Sequence, residues 1–420
     1  MRKTFTLFRV LVVAALLSTT LGGCLKDKVT KTYTIQKAIL KPKAELLAAI
    51  KSNTPIEISS PGKLYTYGKY IFLNDVNTGV HVIDNSNPTS PQNIGFINIP
   101  GNVDIAVKGN VLYADMFSDL LTIDIADPRN IKLVNSMRGL FPERSYGLGY
   151  SQDTDMVVTG WTTYDTVVDV SNTKISVCSN CFYYDALSSY RPESSGGVNV
   201  PGMGGSMARF SIVNDYMYTM GTSVLRVLSL TDEKAPKFIS STQIGNALIE
   251  TIYPFKDKLF IGSTTGMFIY NINDPAHPAM ESQTTHFRSC DPVVADDDYA
   301  FVTLRGGVTC GGTNNVLDIL NVKDVKNPLM VKSYPMTNPH GISKDGQYLF
   351  VCDGTDGLKM YDTGDLLNLE LLDHIKDIET YDIIAWNNRL IVVSKQGINQ
   401  YDYADGKKLK FLSTISVKKS

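Results

Sequence analysis

From residue 55 onward the chain repeats one short unit, and the period of that unit limits the fold more than any other feature. The clearest copies read Gly79-Val80-His81-Val82-Ile83-Asp84-Asn85-Ser86-Asn87-Pro88 and Leu121-Thr122-Ile123-Asp124-Ile125-Ala126-Asp127-Pro128. Two more read Phe268-Ile269-Tyr270-Asn271-Ile272-Asn273-Asp274-Pro275 and Leu358-Lys359-Met360-Tyr361-Asp362. Weaker copies centre on Asp169, Ser229, Asn321 and Asp402. The eight anchors are spaced by 40, 45, 60, 42, 50, 41 and 40 residues. Spacings that cluster near 40 are those of propeller blades.

The second unit shows the internal order best. Asp104 to Val107 reads as an apolar strand and Lys108-Gly109-Asn110 as a hairpin turn. Val111 to Met116, Leu120 to Ile125 and Ile131 to Ser136 read as three further strands, with Asp127-Pro128 turning the chain before the last. Short alternating runs between Gly, Asn, Asp and Pro are strand and turn signals, and four antiparallel strands make one blade. The expected fold is therefore all-β, an eight-bladed β-propeller of four-stranded antiparallel blades over 55–420. Seven blades is the fallback if the insertion-rich third unit forms no blade. The anchor Asp reads as an Asx cap on its turn, bonding nearby backbone N–H groups, rather than as a metal ligand.

The recurring Val-Ile-Asp-x-Ser-Asn-Pro units resemble the LVIVD repeat family, found in bacterial secreted and surface proteins with β-propeller folds. The resemblance runs over about residues 60 to 417. It implies a fold and carries over no catalytic residue. It is diluted in the third and fourth units, where a long insertion intervenes.

The first residues read as an address. Arg2, Lys3 and Arg9 precede the short apolar run Val10–Leu17, and Leu21-Gly22-Gly23-Cys24 follows. The run is short for a bilayer span and has the flanks of a signal peptide. Small residues before a lone Cys resemble the bacterial lipobox. That resemblance implies cleavage after 23, a diacylglycerol thioether on Cys24 and acylation of the new amino terminus. Several chains anchor stably where one does not. Leu25-Lys26-Asp27-Lys28 weakly resembles the surface-export signal of Bacteroidetes lipoproteins. The expected organisation is a signal peptide over 1–23, a lipidated tether with a short helix over 24–54, and the propeller beyond. The expected location is the outer membrane, facing the periplasm or the cell exterior.

An exported chain meets an oxidising compartment, where disulfides are the default. Cys178 is expected to pair with Cys181 and Cys290 with Cys310, leaving Cys352 a buried thiol. The second bridge would close a loop of about 20 residues, worth roughly 3 kcal/mol by chain entropy. A redox CxxC usually precedes a helix in a βαβ unit. A four-Cys zinc site would need two distant units to meet.

A propeller's first strands line its axis. Counting back from each anchor gives Lys63, Asp104, Tyr146, Arg209, Glu250, Asp291, His340 and Asp382 as the candidate ring at the channel mouth. The register is sensitive, since a slip of one residue turns each side chain to the other face. Such a ring is either the polar lining of a wet channel or a site for a polar ligand or divalent cation. Two insertions, about 173–205 and 305–315, are expected to rise from the rim. Loops on a rigid scaffold concentrate function, and Tyr183, Tyr184, Tyr190 and Arg191 are types enriched at interfaces.

The chain has 40 Lys+Arg against 42 Asp+Glu, a balance that argues against a nucleic-acid partner. It contains no G-x-S-x-G, H-E-x-x-H or Walker A sequence. His81 and His277 read as structural. The expected function is that of a monomeric, lipid-anchored binding or scaffold module with a protein or glycan partner at its rim loops. It needs no cofactor beyond the covalent lipid. The alternatives are a metal-dependent hydrolase or lactonase at the ring, and a carbohydrate binder. Fold analogy cannot choose among these.

Overall fold

The computed structural model describes residues 30–146, 155–169, 181–185, 208–245, 248–285, 292–307 and 314–418. It contains a β-propeller of seven blades, not eight. Blades 1 to 7 cover 61–98, 105–137, 210–243, 249–283, 293–335, 342–375 and 380–416. Each is an antiparallel meander whose four strands, a to d, pair in chain order. The a strands of successive blades pack on one another around the axis. Blade 1 carries a fifth short strand, Ser52–Asn53, on the outside of its strand d. Ahead of it lies the helix Lys43–Ala48, whose Leu46 joins the core between blades 1 and 2.

The core lies between blades. Seven apolar clusters fill seven interfaces. Phe260, Met267 and Ile269 of blade 4, for example, pack on Val293, Val302 and Leu320 of blade 5. Leu259, Ile261 and Phe268 point the other way, onto blade 3. Strands b and c are thus buried on both faces, as in Tyr70–Asp75 and Gly79–Asp84. This is why they read as nearly continuous apolar runs.

The anchors end strand c and turn the chain. In all seven blades the anchor side chain (Asp84, Asp124, Ser229, Asn271, Asn321, Asp362, Asp402) accepts the N–H two residues on, at 2.7–3.4 Å. Three residues later Asn87, Asp127, Asp232, Asp274, Asp324, Asp365 and Asp405 do the same at 2.8–3.2 Å. These tandem Asx turns are the role expected of the anchors. Strand d then bulges at the same step in every blade: at Ile94, Val134, Ile239, Glu281, Val331, Leu372 and Leu412. A bulge leaves one residue unpaired and bends the strand.

No blade borrows a full strand from the far end of the chain. Blades 7 and 1 close the ring through a shared cluster of Leu64, Leu73 and Ile83 with Ile391, Val393 and Ile398. Ile58 also makes a parallel bridge to Val417, and Asn85 and Gln400 exchange two side-chain hydrogen bonds at 3.0 and 2.8 Å.

The anchor at Asp169 belongs to no blade. Met156–Asp169 is a strand of 14 residues, twice the length of the longest blade strand. It joins Cys181–Asp185 in a separate three-stranded sheet whose central strand is Thr30–Pro42. Tyr33 pairs with Asp185 and Lys37 with Cys181. Thr34 donates to Asp165 at 2.7 Å, and Thr162 to the Lys37 carbonyl. The interruption between blades 2 and 3 therefore runs from 138 to 209. It is far longer than the 173–205 loop read from the sequence, because the third unit is part of it.

Candidate functional site

Six of the eight candidate ring residues stand in or just before an a strand. Lys63 lies in strand a of blade 1 and Asp382 in that of blade 7. Asp104 and Arg209 immediately precede the a strands of blades 2 and 3, Glu250 lies in that of blade 4, and His340 precedes that of blade 6. Tyr146 does not open a blade. It ends the short helix Glu143–Tyr146, and its side chain falls outside the described residues, as does Asp291. Cys24, Cys178, Cys290 and Cys310 also lie outside them, as does the side chain of Cys181. Cys352 is a buried free thiol, and burial with nearby Asp382 pushes its pKa up.

The ring is a buried charge network. Lys63 and Asp104, 3 % and 1 % exposed, approach to 3.5 Å. Arg144 reaches in to Asp104 at 3.1 Å and also pairs with the buried Asp115. Asp115 in turn accepts the N–H groups of Val103 and Asp104 and the amide of Asn102. Burial raises the Asp104 pKa, but Lys63, Arg144 and Arg209 outweigh it and hold the carboxyl below its usual range. Burial lowers Lys63, against the pull of Asp104 and Asp382. It also lowers Arg144, to about 10. These directions describe charges that keep one another ionised out of water.

The other side of the ring is donor-rich. Arg209 of blade 3 donates to the Ile249 carbonyl of blade 4 at 3.1 Å. Arg305 lies 2.9 Å from Nδ1 of His340, and Asn338 lies 3.2 Å from its Nε2. The imidazole meets the Tyr381 ring edge-on at 5.6 Å. Burial first, then Arg305, drives the His340 pKa down to about 3. Burial also lowers Arg305, and Glu250 partly offsets it. Gly341 lets blades 6 and 7 meet here: a Cβ would stand 2.7 Å from the Asp382 Cα.

The sequence reading missed two of these residues, Arg144 and Arg305. Both stand at the roots of insertions rather than on a strands, so counting back from anchors passes over them. Phe141 stacks on Phe210 at 5.4 Å, and Glu143 pairs doubly with Arg226 at 2.9 and 2.8 Å, fixing the root that carries Arg144. Also missed were Asp75, Asp115 and Asp353, each nine residues before its anchor. Asp75 and Asp353 accept backbone N–H groups of the segment leading into strand a, as Asp115 does. Their in-phase spacing was the available signal. His81, fully buried, bonds Asp75 at 3.0 Å, and His277 bonds Asp274 at 3.0 Å. Among the described residues, no group of three or more His, Cys, Asp or Glu is arranged to share a metal ion.

The LVIVD repeat family model matches residues 62–98 and 101–138, which are blades 1 and 2. No curated protein matches the chain. Among solved structures, the computationally designed Ika8 protein is similar over 88% of this chain and 94% of its own, with 8% identity and a TM-score of 0.52. BamB from Moraxella catarrhalis is similar over 81% and 80%, with 9% identity and a TM-score of 0.47. A functionally unknown protein from Desulfotomaculum acetoxidans covers 85% and 96%, with 13% identity and a TM-score of 0.44. At such identities the likeness is one of fold.

Proposed function

We propose that this LVIVD-repeat propeller is an exported lipoprotein, held at the outer membrane through Cys24 and acting there as a binding and scaffold module. The charge network of the ring carries the choice of binding over catalysis. Lys63, Asp104, Arg144 and Asp115 are committed to one another. His340, with its pKa near 3, is a poor proton acceptor at neutral pH. The ring thus offers fixed donors and charges rather than a group poised to exchange protons. Arg144 and Arg305 tie the roots of the 138–209 and 305–315 insertions to that ring. The loops are where a protein or glycan partner is recognised. Leu21-Gly22-Gly23-Cys24, behind its apolar run, supports the anchor.

The test is purification of the native protein from its envelope in mild detergent. The expected results are an amino-terminal peptide carrying acyl chains on Cys24 and a co-purifying partner at fixed stoichiometry. Deletion of 187–205, which spares the strand Cys181–Asp185, should remove the partner and leave the propeller folded. A lipid-free amino terminus overturns the anchor. Partner binding unchanged by the deletion overturns the loop assignment.

A further inference from the structure

The strand Thr30–Pro42 begins six residues after Cys24. An extended chain spans at most about 3.5 Å per residue, so a lipid on Cys24 holds the start of that strand within roughly 20 Å of the acyl chains. The strand is the centre of its small sheet, paired on both sides. A central strand cannot swing away from its neighbours without breaking two ladders. The whole sheet therefore shares the leash.

Its composition suits that position. Residues 25–41 hold Lys26, Lys28, Lys31, Lys37 and Lys41 against the single acid Asp27. Lysines next to an anchor are drawn to anionic headgroups. Within the sheet Lys31, Lys37 and Lys41 are balanced by Asp165, Asp169 and Asp185 of the flanking strands, so the net positive charge lies on the leash beside the anchor. Val167, Tyr164 and Ile39 are 65%, 48% and 42% exposed, large apolar side chains standing in solvent on a small sheet. Trp161 lies on the same strand six residues before Val167, an even spacing that puts the two on one face, with Tyr164 on the other. Trp and Tyr favour the headgroup level, where one part of the ring is dry and the other wet.

We propose that this three-stranded sheet docks on the bilayer surface to which the chain is anchored, its occupant being the anionic headgroup region. This rests on the lipid-anchor reading above. The docked sheet would give the insertion between blades 2 and 3 a direct contact with the membrane.

The chain has two tryptophans, Trp161 and Trp386. Trp386→Phe leaves Trp161 as the sole reporter. The full-length variant, purified with its native lipid, is reconstituted on vesicles of phosphatidylethanolamine and phosphatidylglycerol doped with brominated phosphatidylcholine. The expected result is flotation with the vesicles, a blue shift of Trp161 emission and its quenching by the brominated lipid. Adding Val167→Asp, on the face of Trp161, should reduce the quenching while flotation persists. A lipidated chain that floats with Trp161 unquenched overturns the docking alone and leaves the anchor standing. A protein without lipid on Cys24 overturns both.

Discussion

Ser413 in strand d of the last blade donates to the carbonyl of Pro88 in the first at 2.6 Å, across 325 residues of sequence. Ser240 donates to Ala276 at 2.6 Å between blades 3 and 4, and Ser282 bonds Val325 between blades 4 and 5. All three serines stand at the step just after the bulge of strand d. The junction that joins the two ends of the ring uses the same rivet as junctions between blades adjacent in sequence.

Ser413→Ala and Ser240→Ala should therefore cost similar amounts, about 0.5–1.5 kcal/mol each. Urea unfolding of the two variants checks this. A much smaller loss for Ser413 would mean that the closing junction is already loose.

His340 gives a pH signature. Its folded pKa lies near 3, and an unfolded histidine titrates near 6.5. Between those values the unfolded chain binds a proton that the folded chain refuses. Its contribution to stability is complete above about pH 6.5 and is lost as pH falls toward 3, with a slope of up to about 1.4 kcal/mol per pH unit. His340→Gln should flatten that part of the profile, read by thermal melts from pH 7 to 4. An unchanged slope would place the titrating group elsewhere.

Arg144 compensates two buried carboxylates, Asp104 and Asp115. Arg144→Met should destabilise by about 3–5 kcal/mol, because it leaves buried charge uncovered. Adding Asp104→Asn should recover part of the loss. A double-mutant cycle by chemical denaturation measures the coupling, and strict additivity would show that the two do not share a network.

Asp124 holds the first Asx turn of blade 2, accepting from Ala126 at 3.0 Å, and also pairs with Lys234 of blade 3 at 2.6 Å. Asp124→Asn keeps an acceptor for the turn and should cost well under 1 kcal/mol, whereas Asp124→Ala should cost about 1 kcal/mol by analogy with lost side-chain caps. Thermal melts of the pair separate the turn from the exposed ion pair. Equal losses would assign the effect to the ion pair.

The strand order, the anchor turns and the placing of Lys63, Asp104, Arg209, Glu250, His340 and Asp382 in or just before a strands could all be read from the sequence. Each depends on short-range pattern repeated in phase. The blade count could not. Asp169 and Asn172 satisfy the same local spacing as Asp124 and Asp127, but a strand belongs to the sheet that pairs with it. Met156–Asp169 finds its sheet with Thr30–Pro42, more than a hundred residues upstream. Arg144 and Arg305 escaped for a related reason. They reach the ring from insertions, where no repeat marks a position. The small sheet itself was hidden because Thr30–Pro42 reads as a polar tether until its partners are known.

The bulge shared by all seven outer strands bears on what happens when copies meet edge to edge. A straight outer strand offers a row of unpaired backbone groups on which another copy can build. In this ring each outer strand is broken at the same step, and blade 1 is further covered by Ser52–Asn53. Copies that meet edge to edge at these blades find no straight strand on which pairing can continue. The propeller's own outer edges thus give concentration no strand on which to build fibres.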